Sequence, residues 1–205
     1  MFIITADQID SRHTKDAVSG TLTALNTKHA RALELPAERT AGDEIQLITD
    51  DAHTALTITL GLFRESRWSI GLGVGDVALP LGESTRASTG DAFFAARAAV
   101  ERAKPRPVRF ACEGGERVDR QSVEDFDALV SILLLVLDRR TDGGWEVHDL
   151  LAMGMTQAEA AEKLGITAGA VSLRVRAAGI RQEDAAAKAL VRMLEELNAM
   201  SRIGR

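Results

Sequence analysis

The sequence predicts an α+β fold followed by an all-α part, and three observations carry that expectation. Over the first half, short apolar runs bounded by turn residues alternate with segments of helical apolar spacing. A turn of Ala41, Gly42, Asp43 and Glu44 between two such runs marks a hairpin. Beyond residue 121 the apolar patterns are helical, and one is interrupted by Gly165 where a chain would turn sharply.

Phe2, Ile3 and Ile4 open a buried strand that ends at Asp7, and Asp10 and Ser11 start a turn. Ala17 to Leu33 has helical spacing through Val18, Leu22, Leu25 and Ala32. Leu35 to Thr40 and Ile45 to Thr49 are the strands of the hairpin. Asp51 caps a helix running to Glu65, with Ala55, Leu56, Leu60 and Phe63 inward. Trp68 to Val77 is a strand in which Gly71, Gly73 and Gly75 alternate, baring a patch on one sheet face for a helix backbone or a ligand. Pro80 to Ser88 is a loop. Asp91 begins a helix with Phe94, Ala95, Ala98 and Ala99 at core spacing, ended by Pro105 and Pro107. Val108 to Ala111 is a last strand.

The order β-α-β-β-α-β, then α and β, is the ferredoxin-like split-βαβ arrangement, with an antiparallel sheet covered by helices on one face. The expected domains are residues 1–112, a polar linker 113–121 and a helical domain 122–205. In the last, Ser122 to Arg140 is strongly apolar around most of its circumference, as in an interdomain spine or a dimer interface. Asp142, Gly143 and Gly144 break it. Trp145 to Ala152 leads into the next helix, and Glu183 to Met200 is amphipathic.

Residues 156–180 read as a helix-turn-helix. Gln157, Ala160, Ala161 and Leu164 give a first helix a small apolar face, Gly165 turns, Ile166 plugs the corner, and Thr167 caps a second helix. Val171, Val175 and Ala178 share the buried side of that helix. Gly169, Ser172, Leu173 and Arg176 point away from it, with Arg174 on one flank. Such a layout suits major-groove recognition: Arg176 for a guanine or phosphate, Ser172 for base edges, Leu173 for a thymine methyl, Thr167 and the first amides for a phosphate. An αα-hairpin that only packs is the plainer reading.

Net charge is −5, and the acidic excess lies before Trp145. Thr167 to Gln182 holds Arg174, Arg176 and Arg181 and no acid, a local basic face on a neutral module. One copy would bind DNA weakly, so a homodimer on double-stranded DNA is expected. A 45% apolar, 27% charged composition fits a folded globule, and a single cysteine, Cys112, fits a reducing compartment. With no signal-peptide pattern and no apolar run long enough to span a bilayer, the expected location is cytoplasmic, with no membrane partner.

Asp7 ends the first strand and Asp43 sits in the hairpin expected beside it, so both can face one spot, and paired carboxylates can seat Mg²⁺ with a triphosphate. Glu44 and Asp10 are further acids nearby. Acids at strand ends and turns also serve solubility and turn chemistry.

The segments ITADQIDSR (4–12), RTAGDEIQLI (39–48), SIGLGVGDV (69–77) and STGDAFFAAR (88–97) occur in the order and spacing of the SatD-like family, which the chain resembles over most of its length. The C-terminal helix-turn-helix is similar to one that many members carry. That family is similar in turn to the palm of class III nucleotide cyclases. The resemblance implies a cyclase-palm-like fold with metal ligands at Asp7 and Asp43, and a nucleotide pocket with Arg39 near a base-selecting position and Glu44 and Gly73 nearby. Phe94 stands where cyclases carry an Asn, and Arg97 is one residue early, so the implied palm is non-catalytic. The function expected is a DNA-binding transcriptional regulator with a nucleotide- or metal-sensing palm; no cofactor is required, and Mg²⁺ or a nucleotide is the ligand to test. The alternatives are a nucleotidyl cyclase-like or other phosphoryl-transfer enzyme tethered to DNA, and an adaptor that uses its helix-turn-helix to contact proteins.

Overall fold

The computed structural model describes residues 1–40 and 42–202. Ala41 of the expected hairpin turn, and residues 203–205 of the expected helical domain, lie outside the described residues. The fold is α+β, with five strands and eight α-helices among the described residues.

The strands are β1 (Phe2–Gln8), β2 (Leu35–Arg39), β3 (Glu44–Thr49), β4 (Trp68–Val74) and β5 (Phe110–Gly114), in one sheet of order β2-β3-β1-β4-β5. β1 is central and antiparallel to both neighbours, so that Asp7 stands opposite Glu44 on one side and Ser69 on the other. β5 runs parallel to β4, which makes the sheet mixed where an antiparallel one was expected.

The helices of this part are α1 (Val18–Lys28), α2 (Ala52–Arg64) and α3 (Asp91–Ala103), and a single 3₁₀ turn covers Thr85–Ala87. α1 stops well short of Leu33. Asp51 caps α2 by accepting from the Thr54 amide at 2.6 Å. In α2 Ala55 and Leu56 are buried as expected, whereas Ile58 and Leu62 do the packing assigned to Leu60 and Phe63.

α3 lies directly on the glycine row of β4. A methyl at Gly71 would come within 2.2 Å of the Val100 amide nitrogen, and one at Gly73 within 2.2 Å of the Ala92 carbonyl. Helix and strand backbones therefore touch, and small side chains (Ala92, Ala96, Ala99) fill the contact. This docking sets which side of α3 is inward. Ala95 and Ala99 are buried as expected, but Phe94 is 69% exposed and Ala98 is exposed as well, and Phe93 and Ala96 are buried in their place. Every residue of β4 is buried. Because successive side chains alternate, Ile70 and Leu72 are covered on the face opposite α3. Helices thus shield both faces of the sheet, where one was expected.

The remaining helices are α4 (Arg120–Asp138), α5 (Asp142–Ala152), α6 (Gln157–Leu164), α7 (Ala168–Ala177) and α8 (Ile180–Arg202). The residues expected to break a helix, Asp142 to Gly144, instead form the first turn of α5, because the Thr141 hydroxyl accepts from the Gly144 amide and caps it. The expected linker 113–121 begins inside β5 and ends inside α4. The described chain divides into two compact units, Met1–Ser131 with Leu190 onward, and Ile132–Ala189. The divisions fall within α4 and α8 rather than at residues 112 and 122. In the second unit Val147, Leu150, Ala160, Ala161, Val171, Val175, Ala178 and Ile180 form one core. No helix among the described residues is long and apolar enough to cross a membrane.

Candidate functional site

The pair α6–α7 is fixed by three local devices, each written in the sequence. Thr156 and Glu159 form a reciprocal capping box: the Thr156 hydroxyl accepts from the Glu159 amide at 3.2 Å, and the Glu159 carboxylate accepts from the Thr156 amide at 2.7 Å. The backbone and hydroxyl donors of Thr156 hold the Glu159 carboxyl below its usual range. Gly165 ends α6 at φ 65°, the left-handed conformation that favours glycine. The Thr167 hydroxyl then caps α7 by accepting from the Ala170 amide at 3.1 Å.

Burying Val171 and Val175 turns Ser172, Leu173 and Arg176 to solvent. Thr167 and Gly169 are exposed at the start of α7, and an added methyl at Gly169 would meet nothing nearer than the Thr167 hydroxyl at 3.8 Å. Ser172, Arg176 and Arg181 line a hollow of about 160 Å³ together with Gln157, Gln182 and Val175. No acid lines it, so its polar groups are two guanidiniums, two amides and a hydroxyl. Such a set donates to anionic oxygens and to base edges alike. Gln157, expected on the packing face of the first helix, lines the hollow instead, and Gln182 is the member to which the helix pattern gave no role.

Arg174 is corrected. Its Nη1 lies 3.0 Å from a Glu146 carboxylate oxygen on α5, and its guanidinium lies over Gly143, close to where a side chain there would begin. It ties α7 to α5 and does not join the hollow. A second arginine, which the sequence pattern gave no reason to single out, holds the other end of α7. Arg140 is fully buried at its side chain; Nε and Nη2 donate to the Ala178 carbonyl at 3.1 and 2.8 Å, and Nη2 also reaches Glu183 at 2.7 Å. Its guanidinium carbon sits 4.3 Å from the centre of a Trp145 ring. Position rather than residue type marks it, since an arginine ending an apolar helix usually reads as a solvated stop.

In the first unit Asp7 and Asp43 do line one open hollow, of about 430 Å³, at the end of β1. The hollow is not a bare acid pair. Arg12, Lys104 and Arg109 line it too, and Lys104 Nζ stands 3.0 Å from Asp7 and 2.7 Å from Glu101. Burial would lower the Lys104 pKa, but hydrogen bonds to Glu101 and Asp7 reverse this and raise it above the usual lysine value. Lys104 therefore stays charged at neutral pH.

The other expected nucleotide residues are engaged elsewhere. Arg39 donates to both oxygens of Asp16 at 2.7 and 2.8 Å and to the Gly42 carbonyl at 2.9 Å. The Glu44 carboxylate accepts from the Thr40 hydroxyl. Gly73 lies under α3 and faces no ligand space. Among the described residues no group of three or more His, Cys, Asp or Glu is placed to hold a metal ion. Asp7, Asp10 and Asp43 are the acids of the hollow, but Asp7 is already paired with the Lys104 ammonium at 3.0 Å, which does not fit a two-carboxylate Mg²⁺ seat. The expected metal role of Asp7 and Asp43 is corrected accordingly.

The chain matches no protein-family model, no curated protein and no solved structure.

Proposed function

We propose that the protein is a cytoplasmic DNA-binding transcriptional regulator, in which α6 and α7 form a helix-turn-helix and α7 enters the major groove of double-stranded DNA. The observation that carries this reading is the acid-free hollow of Ser172, Arg176, Arg181, Gln157 and Gln182 beside the exposed start of α7. Arg176 and Ser172 read bases, Leu173 meets a thymine methyl, and Thr167, Gly169 and Arg181 lie along the phosphates. Two copies acting on an inverted repeat supply the affinity that one neutral module lacks.

The first unit is read as a ferredoxin-like, cyclase-palm-like sensor of the SatD-like kind. The strand order β2-β3-β1-β4 supports it, being the order of a split-βαβ sheet. Its ligand is an anionic effector such as a nucleotide, held by Arg12, Lys104 and Arg109 rather than through a metal on Asp7 and Asp43. A nucleotide with unequal affinity for two arrangements of the dimer would shift operator binding.

Selection of genomic fragments by purified protein tests the DNA reading. Wild type is expected to enrich a few discrete inverted repeats, and Ser172→Ala/Arg176→Ala to lose them. On one such site Arg176→Ala should cost about 1–3 kcal/mol of binding free energy. Equal recovery by wild type and the double variant would overturn the assignment of α7.

A further inference from the structure

We propose that the exposed apolar seam of α4 docks on the same seam of a second copy, antiparallel, about a twofold axis at Ile132. The seam is unusual for a solvent-facing helix: Leu129, Ile132, Leu135 and Val136 are 48%, 60%, 46% and 43% exposed. Contiguous exposed apolar residues of this kind mark an interaction surface. Asp125, Leu129, Ile132, Val136 and Arg139 follow each other at steps of four, three, four and three, the spacing that keeps a stripe facing a partner helix.

The charges at its ends identify the occupant. Asp125 and Arg139 are exposed, and neither has an ion-pair partner among the described residues. They stand equally far from Ile132 in sequence, on opposite sides, at roughly 10 Å each by helical rise. An antiparallel second copy therefore sets Asp125 against Arg139 twice, Leu129 against Leu135 twice, Val136 against Ala128 twice, and Ile132 against itself. A twofold interface requires such self-complementarity. A parallel copy would set Asp125 on Asp125 and Arg139 on Arg139. This inference names the surface for the pairing of copies proposed above, and its test contains no DNA, so either reading can fail without the other.

Sedimentation equilibrium of the full chain at tens of micromolar is expected to give two chains per particle, and Ile132→Glu one. Asp125→Arg and Arg139→Asp should each weaken association about tenfold, and the two together should restore it. In a parallel pair the single reversals would leave association unchanged. Ile132→Cys gives a second reading, because Cys112 is buried and the new thiol alone can oxidise to a covalent dimer. A monomeric wild type, a dimeric Ile132→Glu, or charge reversals that act independently would overturn the proposal. A monomeric wild type that instead binds lipid vesicles or another protein through Ile132 would assign the seam to that occupant.

Discussion

Lys104 places its ammonium 3.0 Å from the Asp7 carboxylate, so the acid at the end of the central strand carries its own cation. Lys104 follows the last residue of α3, and α3 is held on β4 by the glycine row. The same docking that exposes Phe94 thus delivers a positive charge to the mouth of the sheet. The Asp7 carboxylate, which a divalent cation would need, is thereby already paired with a cation of the chain.

Divalent ions should therefore act on the protein only through ionic strength. Mg²⁺ or Mn²⁺ at millimolar levels is expected to leave the thermal midpoint where a matched sodium salt leaves it. Lys104→Met frees Asp7 beside Asp43 and should confer a Mn²⁺-dependent rise, since a ligand of the native state stabilises it. Scanning fluorimetry of the two proteins checks this; a Mn²⁺ response of wild type equal to that of the variant would refute the role given to Lys104.

Two glycine substitutions should move stability in opposite directions. Gly73→Ala forces a methyl to 2.2 Å from the Ala92 carbonyl and 2.4 Å from the Ala96 amide nitrogen, both in helix backbone that has no room to yield. A loss of about 3 kcal/mol is expected. Gly169→Ala adds a methyl in open space within the first turn of a helix, and should gain roughly 0.5 kcal/mol. Urea denaturation measures both.

Asp50 gives the acid limb of stability. Its carboxylate accepts from Asn198 at 3.0 Å and from Arg202, while Asn198 accepts from the Met1 ammonium at 2.6 Å. Burial alone would raise its pKa; the hydrogen bonds from Arg202 and Asn198 and the charges of Arg202 and the N-terminus lower it. A carboxyl with a depressed folded pKa contributes stability above the ordinary value of 3.8, and that contribution is lost as pH falls through the folded value. Asp50→Asn should therefore be less stable than wild type at pH 6 and should converge on it as pH falls through the lowered folded value. The urea midpoint against pH, for both proteins, reads the difference. A constant gap at all pH values would mean that Asp50 acts by packing rather than charge.

Much of this was legible from residue types, because local chemistry decides it. Thr156, Gly165 and Thr167 each have one conformational preference, and nothing distant competes with it. The burial of Val171 and Val175 follows from helical period. The failures come from tertiary choices. One turn of α3 has apolar residues on two adjacent faces, and only its docking on Gly71 and Gly73 selects Phe93 over Phe94. The parallel pairing of β5 depends on where α3 returns the chain. Arg174 and Arg176 are two residues apart with the same chemistry, and Glu146, distant in sequence, removes one of them from the exposed face.

Arg140 and Glu183 carry the sharpest energetic expectation. The guanidinium satisfies the carbonyl of Ala178, at the end of α7, and pairs with a nearly buried carboxylate. Arg140→Ala leaves that carboxylate without its counter-charge and the carbonyl without its donor. Breaking one side of a buried pair costs about 3–5 kcal/mol, most of it the burial of the survivor. Replacing both partners by apolar residues, Arg140→Met/Glu183→Leu, removes the stranded charge and should recover much of the loss. Only the Ala178 carbonyl then stays unsatisfied, at about 1–3 kcal/mol. Chemical denaturation of the four proteins gives the coupling directly. If the double variant is as unstable as the sum of the singles, the pair contributes through Ala178 alone, and the charge of Glu183 is met by another group, for which His148, whose Nε2 lies 3.6 Å away, is the nearest candidate.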